Sequence, residues 1–209
     1  MAKDPYRYII FTDASFKQKH SKSFCGYGVI IINTETNYYA GRSGTLGDKS
    51  IVYGEGWAIL EGIEQVISLV KKLPTKKRDC QVLVVTDSKL SVNILTKYWK
   101  KWDTTDWFNW KLPDGKPAKN QEIYRQILEL KRKNSHIKFK FVHMHGHLGK
   151  KNEEKIRKDL ESFGIRATDD AVALFRTMNE KVDTLAQSIT DQMIEDFIDD
   201  IPVLERKDQ

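Results

Sequence analysis

The chain has 209 residues, with 35 lysines and arginines against 29 aspartates and glutamates, for a formal net charge of +6. With 40% hydrophobic and 31% charged residues it has the balance of a globular protein, long enough for one elaborated domain. No apolar run reaches the roughly 20 residues of a membrane helix, and the opening MAKDPYRYIIFTDAS lacks the order of a secretory signal.

Cys25 and Cys80 are too few for a disulfide framework and lack zinc spacing; they read as small core residues, and the expected compartment is the reducing cytoplasm. Charge is unevenly spread. Leu95–Lys140 holds twelve Lys/Arg against five Asp/Glu, whereas Val182–Asp200 holds six acids and no base. A basic middle suits a polyanionic partner, although a solvated charged face has the same composition.

In chain order, Tyr8–Asp13, Gly26–Asn33 and Asn37–Arg42 read as three closely spaced strands, an antiparallel meander. From Glu55 the period lengthens, and Trp57, Leu60, Ile63, Ile67 and Val70 mark an amphipathic helix that stops near Pro74. Gln81–Thr86 is apolar on both faces, as a strand covered on two sides would be. Ser88 can cap a helix over about Leu90–Lys100. The aromatic, basic Trp99–Asn120 has no clean period; a helix over Asn120–Lys133 and the strand Ile137–His143 follow. After the loop HMHGHLGKKN, a Lys/Glu-rich stretch to Ser162 reads as a short exposed helix. Thr168-Asp169-Asp170 starts a last helix, whose stripe runs from Phe175 through Val182 and Ile189 to Phe197. This order describes an α/β fold, a mixed sheet with helices on its faces, in one domain over residues 5–202 with a tail at 203–209.

Three acids occupy comparable places: Asp13 closes the first strand, Glu55 opens the first helix, and Asp87 closes the buried strand. Open α/β sheets gather functional residues at strand ends. Each acid alone is ordinarily a turn former or a cap. Three carboxylates gathered together would repel unless a divalent cation sat among them, and hard oxygen ligands suit Mg2+ or Mn2+ rather than zinc.

The sequence resembles type 1 ribonuclease H, which cuts the RNA strand of RNA/DNA hybrids. The resemblance rests on six motifs in order: Thr12-Asp13-Ala14-Ser15, Gly54-Glu55-Gly56-Trp57-Ala58, Thr86-Asp87-Ser88, Trp110 to Asn120, Gly146-His147-Leu148-Gly149, and Asn179-Glu180-Lys181-Val182-Asp183-Thr184-Leu185-Ala186. It implies a ribonuclease H-like fold with a mixed five-stranded sheet and helices on both faces. It further implies hydrolysis by two divalent ions, Mg2+ with Mn2+ as a possible substitute, leaving 5′-phosphate and 3′-hydroxyl ends. Two ions about 4 Å apart activate the water and stabilise the leaving oxygen. Asp13 would bridge them, Glu55 and Asp87 would hold one and Asp183 the other, while His147 would shuttle protons. Contact with the duplex is expected from Ser15, Ser88, Tyr98, Lys100, Lys101, Trp102, Trp110, Lys111, Lys116, Lys119 and Asn179. Trp99 and Trp102 could instead pack beneath their own helix, and His143 and His145 read as satisfied or solvent-facing imidazoles.

The departures are specific. His147 and Asp183 lie close in the family but 36 residues apart here, which implies an insertion at about 151–177. Asp159 is then a rival fourth acid; Asp183 is preferred because its Asn179 stands four residues ahead, on one helix face. Ile51-Val52 replace an Asn-Asn that grips the hybrid, and Lys89 replaces a Gln, so substrate stringency is open. A nuclease for another duplex (double-stranded RNA or a DNA junction) and a non-catalytic hybrid-binding module are the alternatives. The insertion or the acidic last helix could dock a protein partner or a second copy.

Overall fold

The computed structural model describes residues 5–102, 110–111, 115–146 and 153–199. Five strands form one sheet: β1 (Tyr8–Lys19), β2 (Lys22–Asn33), β3 (Tyr38–Gly47), β4 (Cys80–Thr86) and β5 (Ile137–His143). Their order is β3-β2-β1-β4-β5. β1, β2 and β3 pair antiparallel, while β1, β4 and β5 run parallel, so β1 is where the sheet changes sense. The mixed five-stranded expectation holds.

Strand alternation builds two cores. Tyr8, Ile10, Val29, Ile31, Val82 and Val84 face helix α1 (Ile51–Lys71) and helix α4 (Gln121–Lys133). Ile9, Phe11, Ile30, Ile32, Leu83 and Val85 face the opposite layer, α5 (Glu153–Phe163) and α6 (Asp169–Asp199). Between β4 and α4 the chain winds through α2 (Lys89–Asn93), a π-helical turn at Ile94–Tyr98 and α3 (Trp99–Trp102). Among the described residues no helix is long and apolar enough to cross a membrane.

Several local expectations are corrected. β1 does not end at Asp13 but runs on to Lys19, because its hairpin with β2 closes at His20-Ser21, both at positive φ as a two-residue turn requires. Asp13 is instead the position just beyond Thr12, the last β1 residue with a partner on β4. α1 begins at Ile51, four residues before Glu55, because the Ser50 side chain accepts the Tyr53 N–H and caps it. α5 is not an exposed helix: Ile156, Leu160 and Phe163 are buried in the second core.

The α6 stripe is also consumed within the chain. Phe175, Met178 and Val182 are buried on the sheet, and Phe197 meets Phe24 of the long hairpin at a ring separation of 5.4 Å. The far end of the stripe covers the extension of the β1–β2 hairpin beyond Asp13.

α6 can lie this close because β2 offers glycine on the facing side. A Cβ built at Gly28 would stand 2.6 Å from the Val182 carbonyl oxygen, and one at Gly26 would stand 2.9 Å from that of Ala186. Both obstacles are helix backbone. Gly28→Ala is therefore expected to destabilise the fold by about 1–3 kcal/mol, read as a lower urea midpoint. An unchanged midpoint would mean that α6 does not rest on β2 there.

Candidate active site

The layers converge where β4 ends. Asp87 follows the last β4 residue, Asp13 sits beside that end on the α6 side of β1, and Glu55 comes from α1 on the other face. Carboxylate oxygens of these three residues lie within 4.8 Å of one another. Asp13 is 9% exposed and Glu55 7%. The Ala14 N–H donates to Asp13 Oδ1 at 2.8 Å, and Thr86 Oγ1 donates to Glu55 Oε2 at 3.4 Å. No lysine or arginine among the described residues pairs with Asp13 or Glu55.

Burial sets the electrostatics, and the neighbouring carboxylates add to it. Burial, then the charge of Asp87, pushes the Asp13 carboxyl up from 3.8 to about 8. Burial first, then Asp87 and Asp13, holds Glu55 well above its ordinary value. An oxygen-only donor set that resists ionisation until a cation arrives fits a hard divalent ion.

A carboxyl group whose folded pKa is raised stabilises the fold below its unfolded value and loses that contribution as pH rises through the folded one. For Asp13 this window runs from about pH 4 to about pH 8. In EDTA at pH 8, Asp13→Asn should therefore melt several degrees above the wild type, at about 2–4 °C per kcal/mol for a chain of this size. The difference should vanish at pH 4, where both side chains are neutral. Identical melting of the two proteins at pH 8 would contradict the raised pKa.

Of the rival fourth acids, Asp183 stands beside Asp13, within hydrogen-bonding reach, and adds to its upward shift. α6 delivers it, and Gln187 Nε2 donates to its Oδ1 at 2.6 Å. Asp159 faces elsewhere: its Oδ2 lies 3.8 Å from His145 Nδ1. That pairing brings α5 back to the edge of the site, a contact between distant segments that no local pattern announces. His145 in turn packs edge-on against His143, with ring centroids 4.7 Å apart. His143 touches the Asp87 backbone, and its pKa is lowered by burial and by His145. Gly146 lets this loop approach, since a Cβ there would lie 2.7 Å from Asp87 Oδ2.

The expected duplex contacts divide. Lys100, Lys101, Lys111, Lys116 and Lys119 are exposed, and Tyr98 is 39% exposed. Val52, Leu90, Tyr98, Lys101, Lys116 and Lys119 line one groove of about 860 Å3, so a position that departs from the family lies on the same surface as the basic segment. Ser88 is half-buried at the start of α2, where its Oγ accepts the Ser91 N–H at 3.4 Å, and Asn179 is half-buried one turn before Asp183. Two expectations fail. Trp110 is fully buried in the α1-side core, with its backbone N–H donating to Gln121 Oε1 and its carbonyl accepting from the Ala118 N–H. It anchors the basic segment from below. Ser15 is 8% exposed beneath α6, with its carbonyl held by Thr190 Oγ1. His147 and the Trp102 side chain lie outside the described residues.

The chain is similar to known proteins over most of its length. The RNase H family model matches residues 5–156, stopping short of α6. A ribonuclease H of Tropheryma whipplei is 32% identical over 116 residues, 54% of this chain and 70% of that protein. One from Acidovorax sp. is 26% identical over 147 residues, 70% of this chain and 87% of that protein. Among solved structures, LC11-RNase H1 in complex with RNA/DNA hybrid superposes with a TM-score of 0.54 at 16% identity, covering 90% of this chain and 99% of that one. A foamy viral protease-reverse transcriptase structure in complex with dsDNA gives 0.61 at 17% identity, covering 91% and 97%. At such identities the two structures speak for the fold alone, while the family match spans most of the chain. The chain belongs to the ribonuclease H family.

Proposed function

We propose that this ribonuclease H hydrolyses the RNA strand of RNA/DNA hybrids at the Asp13–Glu55–Asp87 cluster, leaving 5′-phosphate and 3′-hydroxyl ends. The observation that carries the reading is the convergence of these carboxylates within 4.8 Å at the end of β4, in a chain matched by the family over residues 5–156.

Asp13, Glu55, Asp87 and Asp183 would hold two divalent ions, Mg2+ or Mn2+, with Asp13 between the other acids. Such ions supply a water ionised near neutral pH and stabilise charge on the attacking and leaving oxygens. The protein's part is to fix the acids and to hold the duplex. Thr86 orients Glu55, the Ala14 N–H orients Asp13 and Gln187 orients Asp183. The exposed lysines around Tyr98 would neutralise phosphates along the groove. Recognition of the RNA strand would rest on its 2′-hydroxyls in the A-like minor groove. His147 would move a proton to or from the reacting oxygens, a role suited to an imidazole.

The product chemistry tests this reading. A hybrid with 5′-labelled RNA, incubated with Mg2+, Mn2+ or EDTA, should yield fragments that polynucleotide kinase labels only after phosphatase treatment, and none in EDTA. Cleavage that persists in EDTA, or fragments ending in cyclic phosphate, would contradict it.

A further inference from the structure

The helical segment that carries Tyr98 borders two cavities. Leu90, Ile94, Tyr98 and Lys101, spaced by about one helical turn, face the hybrid groove. Trp99, one residue on and turned by about 100°, points away from that row into a second cavity of about 690 Å3. The floor of this cavity is apolar, with Leu128 and Phe139, and its rim carries Lys131, Arg132 and Lys138.

The cations crowd one another round this cavity. Lys100 and Lys138 are near enough to press on the Lys131 ammonium, which is half-buried and already disfavoured by desolvation. Among the described residues none of Lys100, Lys131, Arg132 and Lys138 has a carboxylate partner, although neighbouring Lys133 pairs with Glu129 at 3.3 Å. Lys131 instead has the Phe141 ring 5.7 Å away. Like charges crowded round a cavity destabilise the free protein, and a polyanion relieves them. A half-buried indole beside such cations is the arrangement that takes a base on its face and phosphates at its edge.

We propose that this cavity binds a single-stranded nucleic-acid extension of the substrate, with a base against Trp99 and its phosphates on Lys131, Arg132 and Lys138. This rests on the reading that the adjoining groove holds the hybrid, because the two cavities share one helical segment. β5 runs from Ile137 in the cavity wall to His143 beside Asp87, six steps or about 20 Å. A strand bound here therefore lies well clear of the catalytic acids. The site favours nucleic acid over an acidic peptide because it continues a surface already shaped for phosphates.

Fluorescence anisotropy in EDTA tests the proposal with the full chain. The probes are a blunt 20-base-pair RNA/DNA hybrid and the same hybrid with a six-nucleotide tail of DNA or of RNA. A tail should tighten binding by about tenfold, through stacking and added phosphate contacts. Arg132→Glu/Lys138→Glu should bring tailed and blunt hybrids to within about twofold of one another. Lys155→Glu/Arg166→Glu, the same change in charge at exposed residues of the layer on the opposite face of the sheet, should keep the advantage. Equal binding of tailed and blunt hybrids by the wild type would overturn the proposal, as would an advantage that survives Arg132→Glu/Lys138→Glu. Displacement of the tail by an acidic, aromatic peptide at lower concentration than by a free single strand would reassign the site to a protein. Cleavage of the blunt hybrid by the wild type in Mg2+ is followed alongside. Cleavage without a tail advantage defeats this inference alone, whereas absence of cleavage defeats the reading beneath it.

Discussion

Asp87→Asn is expected to lower kcat on an RNA/DNA hybrid by about three orders of magnitude, about 4 kcal/mol of transition-state stabilisation, with hybrid affinity nearly unchanged. The asymmetry follows from the geometry. Asp87 stands among carboxylates at the end of β4, where it contributes charge to the cluster. The lysines proposed to hold the duplex lie along the groove beside Tyr98. Loss of the Asp87 charge also relieves Asp13 and Glu55, whose pKa values it raises, so the variant should fold at least as stably without metal as the wild type. Single-turnover kinetics with an anisotropy titration separate the two effects. Equal losses in affinity and rate would make Asp87 a substrate-binding residue, and unchanged turnover would remove it from the site.

The second large effect separates two acids that the linear sequence leaves as rivals. Asp183→Asn should reduce cleavage by about a hundredfold at limiting Mg2+, and raising the metal concentration should recover much of that loss. Asp159→Asn should leave the metal requirement where it was. The reason is placement: Asp183 adjoins Asp13, while Asp159 faces His145 from α5. Initial rates across a Mg2+ titration decide the matter. A displaced midpoint for Asp159→Asn, with none for Asp183→Asn, would invert the assignment.

The parts of this molecule legible in its sequence are those set by local patterning. β5 occupies Ile137–His143 as its alternation implies, because apolar residues flank exposed Lys138 and Lys140. The Ser88 cap and the doubly buried β4 follow from side-chain chemistry and an unbroken apolar run. Asp13 and Asp87 are legible because a carboxylate after an apolar strand, repeated, has few structural explanations, and Glu55 because it opens an amphipathic helix between them.

What the sequence concealed depends on contacts between distant segments. Trp110 and Ser15 are polar-capable residues inside or beside binding motifs, and nothing local reports that α1 and α4 close over one and α6 over the other. The true end of β1 has no local signal, because Phe16–Lys19 is mostly polar and its hairpin is secured by Phe24 against Phe197. A signal for the close approach of α6 is present: Gly26 and Gly28 alternate on one face of β2, just before the β-branched run Val29–Ile32. The cluster of Trp99, Lys131 and Lys138 had none, since the three come from separate elements.

The carboxylate cluster at the end of β4 is proposed to cut RNA only when it is paired with DNA. The most direct measurement presents the protein with one sequence as four end-labelled 20-mer duplexes in Mg2+: RNA/DNA, RNA/RNA, DNA/DNA, and DNA with a single ribonucleotide. The account predicts cutting of the RNA strand in the RNA/DNA hybrid, with the RNA/RNA and DNA/DNA duplexes intact. Preferential cutting of RNA/RNA or DNA/DNA would contradict it and show that Val52 and its neighbours in the groove have redirected the site, while binding of the hybrid with no cutting of any duplex would leave the carboxylates without the chemistry assigned to them.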